Sequence, residues 1–118
     1  MTDKELLERA AKSAGLPELR GAGSRHHCYY VLDEQPTRWN PLYDDGDALR
    51  LAIKLGLVVE TIRHQQTAVV RHKDQKVCVK WRSLVDSWTD ETDAEADDEH
   101  EAARKAIVLA AAMIGEKE

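Results

Sequence analysis

The stretch Thr67-Ala68-Val69-Val70-Arg71-His72-Lys73-Asp74-Gln75-Lys76-Val77-Cys78-Val79-Lys80-Trp81-Arg82 sets apolar and charged residues in alternation on both sides of a short polar break. Alternation of period two is the signature of a strand with one buried face. Two such runs around Asp74-Gln75 predict a β-hairpin over Thr67–Lys73 and Lys76–Arg82. That turn pairs Lys73 with Lys76, Arg71 with Cys78 and Val69 with Lys80. Since side chains alternate, Val70, His72, Val77, Val79 and Trp81 share one face. Val69, Arg71, Lys73, Lys76, Cys78, Lys80 and Arg82 share the other. The first face belongs to the core. The second holds five cations, and covering it with an apolar helix would carry a large desolvation cost. The hairpin is therefore expected toward one edge of its sheet, protruding or partly covered, where lysines discourage edge-to-edge aggregation.

Outward from the hairpin, Leu57–Arg63 reads as a strand and His26–Leu32, rich in aromatic and β-branched residues, as another. Between them lies Arg38-Trp39-Asn40-Pro41-Leu42-Tyr43-Asp44-Asp45-Gly46-Asp47-Ala48-Leu49. Pro41 fixes its own φ and biases Asn40 away from helix, and Asn40 favours a turn. Residues 33–44 are expected to be a loop. Asp44 and Asp45 can cap a helix that runs to Leu55, with Gly56 as its left-handed end. Apolar residues cover so wide an arc of that helix that deep burial is expected. Thr2 and Glu5 form a capping box for a first helix, which Gly15 and Pro17 end. A last helix begins between Asp93 and Glu99 and ends near Gly115. The order α, β, α, β, β, β, α predicts an α+β fold: a mainly antiparallel sheet packed with three helices. One domain over residues 1–118 is expected, with 83–98 as an acidic linker before the C-terminal helix.

Three of these segments carry a likeness. Trp39-Asn40-Pro41, an aspartate pair and an Ala/Leu-rich helix, together with the final Ala102–Ala112 helix and the helix between Met1 and Ala14, resemble the phage ABA sandwich domain family. Its members are small products of phages and prophages. The resemblance implies an α/β/α sandwich-like fold and a bacteriophage or prophage origin, hence a bacterial host cytoplasm. It implies no activity and no catalytic residues. The acidic stretch from Asp86 to Glu101 has no counterpart in it.

Composition narrows the field. The chain has 118 residues, 42% hydrophobic and 33% charged, as a soluble globule does. It has no apolar run long enough to cross a bilayer and no signal-peptide pattern at Met1-Thr2-Asp3-Lys4-Glu5. Two cysteines, Cys28 and Cys78, do not make a disulfide framework, which fits a reducing, cytoplasmic setting. The net charge of -5 conceals a polarity. Residues 1–82 hold 14 Lys or Arg against 11 Asp or Glu, whereas residues 83–103 hold nine acids and no Lys or Arg.

The basic hairpin face (Arg71, Lys73, Lys76, Lys80, Arg82) has two readings. The simpler is solvated surface, partly neutralised by the acidic stretch. The sharper is contact with a nucleic-acid backbone, although no aromatics are interleaved to stack on bases. His26-His27-Cys28 with His64, His72 and Cys78 invites zinc. Yet there is no Cys-x-x-Cys pair, and His72 and Cys78 fall on opposite faces, so no metal is expected. Nucleophilic chemistry at Cys28 would need a nearby base, and His27 diverges from it on a strand. Asp44, Asp45 and Asp47 could form an acid/base or Mg²⁺ cluster, but helix capping accounts for them more simply. No phosphate-loop, nucleophile-elbow or dinucleotide motif is present. Trp39 reads as a plug at the core edge or as a contact for a partner. The face of the last helix with Ala103, Ala106, Ala110, Ile107 and Ile114 reads as core, with its Ala112 side open to a dimer seam. The expectation is a non-enzymatic protein without cofactor, a monomer or weak homodimer, that binds another macromolecule. Protein is favoured over nucleic acid as the partner.

Overall fold

The computed structural model describes residues 2–22, 27–73, 75–81, 95–96 and 98–116. Its elements are α1 (Asp3–Ser13), β1 (Tyr29–Leu32), β2 (Gln35–Arg38), α2 (Asp45–Leu55), β3 (Val58–Ile62), a 3₁₀ turn (Arg63–Gln65), β4 (Thr67–His72), β5 (Gln75–Trp81), β6 (Glu95–Ala96) and α3 (Glu99–Glu116). The fold is α+β. β1 and β2 form a separate antiparallel hairpin. The main sheet runs β3-β4-β5-β6, antiparallel except for the short parallel pairing of β6 with β5.

Local chemistry explains each boundary. Thr2 Oγ1 accepts the Glu5 N–H at 3.2 Å and starts α1. Asp44 Oδ1 accepts the N–H groups of Gly46 at 2.8 Å and Asp47 at 3.3 Å and starts α2. At the far end Gly56 takes φ 66°, and its N–H and that of Leu57 bond to the Ile53 and Ala52 carbonyls. This double bond is a Schellman close, and the left-handed residue it needs is the glycine. Asp98 Oδ1 accepts the Glu101 N–H at 2.8 Å, which places the start of α3 at the end of the acidic run.

The helices stack in order. α3 lies against β3, β4 and β5, while α1 and α2 pack on α3. One side of α3 therefore meets the sheet and other sides meet helices. Its buried residues, Ala102, Ala106, Ile107, Val108, Ala110, Ala111 and Ala112, surround the helix axis. Alanine dominates because a helix packed on opposite sides has little room for bulk. The Ala112 side, read as a possible dimer seam, is filled from within. Gly115 lies inside α3 and is a packing glycine. A Cβ there would come within 2.4 Å of the Arg9 carbonyl oxygen, so α1 crosses α3 at near backbone contact.

Several expectations need correction. Residues 35–38 are a strand: Asp33 and Glu34, both at positive φ, make the two-residue turn of the β1–β2 hairpin without glycine or asparagine. β1 starts at Tyr29, three residues later than expected, and His27 and Cys28 precede it. β3 stops at Ile62, with Arg63 in the 3₁₀ turn. The β4–β5 turn lies one residue earlier than read. His72 pairs with Gln75, Arg71 with Lys76 and Val69 with Cys78, while Lys73 sits in the turn at φ 53°. Moving the turn by one residue moves the register by two, so the faces remain as read. The hairpin is not at the sheet edge either. The borders are β3 and β6: β4 lies inside the sheet, and β5 is flanked by β6 at Lys80 and Trp81. Of the proposed 83–98 linker, Glu95–Ala96 form β6, and residues 82–94, with Arg82 and Trp88, lie outside the described residues. Finally, α2 is not deeply buried all round: Leu49 is 59% and Ile53 70% exposed. Its core side consists of Ala48, Leu51 and Ala52.

Candidate functional site

The Trp39-Asn40-Pro41 loop is held by its own sequence. Asn40 Oδ1 accepts the Leu42 N–H at 3.2 Å, and the Asn40 carbonyl accepts the N–H groups of Tyr43 and Asp44 at 3.1 and 2.9 Å. Asp47, one turn into α2, reaches back. Its Oδ2 accepts the buried Asn40 N–H at 2.9 Å, and its Oδ1 accepts from the Arg50 guanidinium at 2.6 Å. The Trp39 N–H donates to the Cys28 carbonyl at 3.0 Å, tying the loop to the chain before β1. From α3, Arg104 Nε donates to the Leu42 carbonyl at 2.9 Å, and its NH1 meets Asp45 at 2.7 Å. His100 Nδ1 lies 3.3 Å from the other Asp45 oxygen. The Arg104 guanidinium holds the Asp45 carboxyl below its usual pKa, with His100 adding to the effect.

The three aspartates thus do not converge. Asp44 caps, Asp45 clamps α2 to α3, and Asp47 supports the loop. The sequence marks all three as acids at a helix start. It does not mark Asp47 as a loop anchor, because that contact closes seven residues apart and requires burial. Arg50 is legible in the sequence only as a helix-stripe neighbour of Asp47, and neither it, Arg38 nor Arg104 reads as a site residue. Arg50 stands three residues after Asp47, an ordinary helix spacing, and Arg38 adjoins Trp39; Arg104 is brought there only by the fold.

Around this framework lies a cleft of about 420 Å³. It holds two arginines (Arg38 and Arg50), two carboxylates (Asp44 and Asp47), the rings of Trp39 and Tyr43, and Cys28. Arg38 continues into a second hollow of about 540 Å³ with His27, Tyr29 and Pro36. Register explains the continuity: Tyr29 pairs with Arg38 and Val31 with Pro36, so one face of the β1–β2 hairpin lines this hollow. Trp39 itself is buried and belongs to the core, and it also borders the cleft. Cys28 is 2% exposed. Burial pushes its thiol up, and the nearby Asp47 and Glu8 charges raise it further. A thiol so placed stays protonated at neutral pH and is a poor nucleophile.

The basic face of the main sheet is assembled differently. Arg71 and Lys76 are exposed and stand directly opposite each other. Lys73 is exposed in the turn, Lys80 is half-buried, and Arg82 lies outside the described residues. Arg71 is ion-paired with Glu60 of β3. Val69, on the same face, is only 3% exposed yet stands apart from the main core cluster. His72 and Cys78 point to opposite faces, as read. Among the described residues no group of three or more His, Cys, Asp or Glu is placed to hold a metal ion. No helix among them is long and apolar enough to cross a membrane.

Comparison with family models, curated proteins and solved structures gives no match to this chain.

Proposed function

We propose that this protein is a non-catalytic accessory protein of phage or prophage type that binds another macromolecule through the cleft beside Trp39. One observation carries this reading: the ionisable groups of the cleft are committed to its walls. Asp47 holds the Asn40 N–H and Arg50, Asp44 caps α2, and the Cys28 thiol is driven toward its neutral form. The cleft itself is a recess lined by Arg38, Trp39, Tyr43 and Arg50, residue types favoured where proteins recognise one another. The phage assignment rests on the likeness of the Trp39-Asn40-Pro41 segment and the first and last helices.

The alternative is nucleic-acid binding by the sheet face with Arg71, Lys73, Lys76 and Lys80. Its exposed cations support it, and Glu60, ion-paired with Arg71, opposes it. One experiment separates the two. Tagged protein is used for capture from bacterial host lysate in three forms: unchanged, Arg38→Glu with Tyr43→Ala, and Lys73→Glu with Lys80→Glu. A defined protein lost only with the cleft variant supports the proposal. Nuclease-sensitive capture lost only with the lysine variant selects the alternative. Capture that neither variant changes overturns both.

A further inference from the structure

The two borders of the main sheet are unequal. β6 contributes two residues, Glu95 and Ala96. β3 contributes five, Val58-Val59-Glu60-Thr61-Ile62, and four of them are β-branched. None is lysine or proline, the residues that ordinarily blunt an edge. Val58 is 55% exposed, and Val59, Glu60 and Thr61 are exposed as well.

The ladder fixes which backbone groups of β3 lack a neighbour. The Trp81 N–H donates to the Gln66 carbonyl at 2.9 Å, so residues 66 and 81 form a hydrogen-bonded pair. Such pairs alternate along an antiparallel ladder. The Gln66 carbonyl and the backbone groups of Ala68, Val70 and His72 are therefore directed to β5, and Thr67, Val69 and Arg71 direct theirs to β3. Their partners are Ile62, Glu60 and Val58. By elimination, the N–H and C=O groups of Val59 and Thr61 point away from the sheet, and they have no partner among the described residues.

We propose that this border pairs antiparallel with β3 of a second copy, joining two four-stranded sheets across a two-fold axis at Glu60. The occupant follows from the strand itself, which reads alike in both directions about Glu60: two β-branched residues on each side. In this register Val59 exchanges both backbone bonds with Thr61 of the second copy, and Thr61 does the same with Val59. Val58 faces Ile62 of the second copy on one side of the joined sheet. The two Glu60 side chains meet at the axis, and each is already ion-paired with Arg71 of its own copy. The central like-charge contact thereby becomes an Arg–Glu–Glu–Arg row. Each copy offers one such border, so the contact closes as a dimer and does not propagate. This inference is independent of the Trp39 cleft.

The test is sedimentation equilibrium of the full chain from micromolar concentration to about 1 mM, the range of a weak dimer. A monomer–dimer equilibrium is expected. Val59→Pro removes an N–H that β4 does not use, so the fold is kept, while dimerisation weakens by about 30-fold for two lost hydrogen bonds. Amide exchange adds a readout that needs no variant. In unaltered protein, exchange of the Val59 and Thr61 N–H groups slows as concentration rises, and that of Glu60 does not change with it. A chain that stays monomeric at about 1 mM overturns the proposal. So does a dimer untouched by Val59→Pro, or exchange at Val59 and Thr61 that ignores concentration.

Discussion

The acids at the start of α2 and the cations on the outer face of the main sheet are both charge clusters in sequence, yet the fold treats them differently. Each aspartate has a separate structural partner: the α2 N-terminus for Asp44, Arg104 and His100 for Asp45, and the Asn40 N–H with Arg50 for Asp47. The cations of the sheet lie at exposed or half-buried positions, and the ion pair of Arg71 with Glu60 has both side chains close to half exposed. Charge becomes structural where a loop must be held against a core. On an open sheet face it sets solubility and the choice of neighbour. Counting charges along the chain does not separate the two cases, whereas burial does.

Mutations can break this contrast. The largest effect is expected at Asp47. Asp47→Ala leaves the buried Asn40 N–H without its acceptor and should lower stability by about 2 kcal/mol in urea unfolding. Lys76→Ala on the open face should change it by less than about 0.5 kcal/mol. Arg104→Leu removes the donor to the Leu42 carbonyl and the Asp45 clamp, and should cost about 1–2 kcal/mol by the same measurement. For Glu60 and Arg71, a double-mutant cycle to alanine should give a coupling of at most about 1 kcal/mol, falling with added salt. A coupling above that of the Arg104 contacts would reverse the contrast.

The smallest effect concerns pH. The folded pKa of Asp45 lies below its usual value of 3.8, so ionised Asp45 favours the folded state. That contribution is fully present above the usual value and is lost as pH falls through the folded value. Asp45→Asn should therefore lower stability at neutral pH and flatten the acid limb of a stability-versus-pH curve. Because the carboxylate is 61% exposed, the change should be smaller than that of Arg104→Leu.

Much of the fold is legible in the sequence because its strongest signals are local. Period-two alternation at Thr67–Trp81 assigns side chains to faces whatever the turn, so a misplaced turn leaves Val70, Val77, Val79 and Trp81 in the core. The caps at Thr2, Asp44 and Gly56 act within a few residues of the helix ends they define. The β1–β2 turn is hidden because Asp33 and Glu34 adopt positive φ without the usual glycine or asparagine. The exposure of Leu49 and Ile53 is hidden too. An apolar arc shows which residues could be buried, and only the helix stack shows which are. Least legible is the cleft. Cys28, Arg38 and Asp47 come from the segment before β1, from β2 and from α2, and no sequence interval foretells their meeting.

A segment with layers on opposite flanks has a bearing on how the chain acquires its shape. α3 supplies the interior surface for the sheet and also for α1 and α2, so neither group can complete an interior before it arrives. During synthesis the earlier elements must wait for α3 to emerge. Melting should then proceed as one all-or-none event, with no stage in which the sheet survives alone.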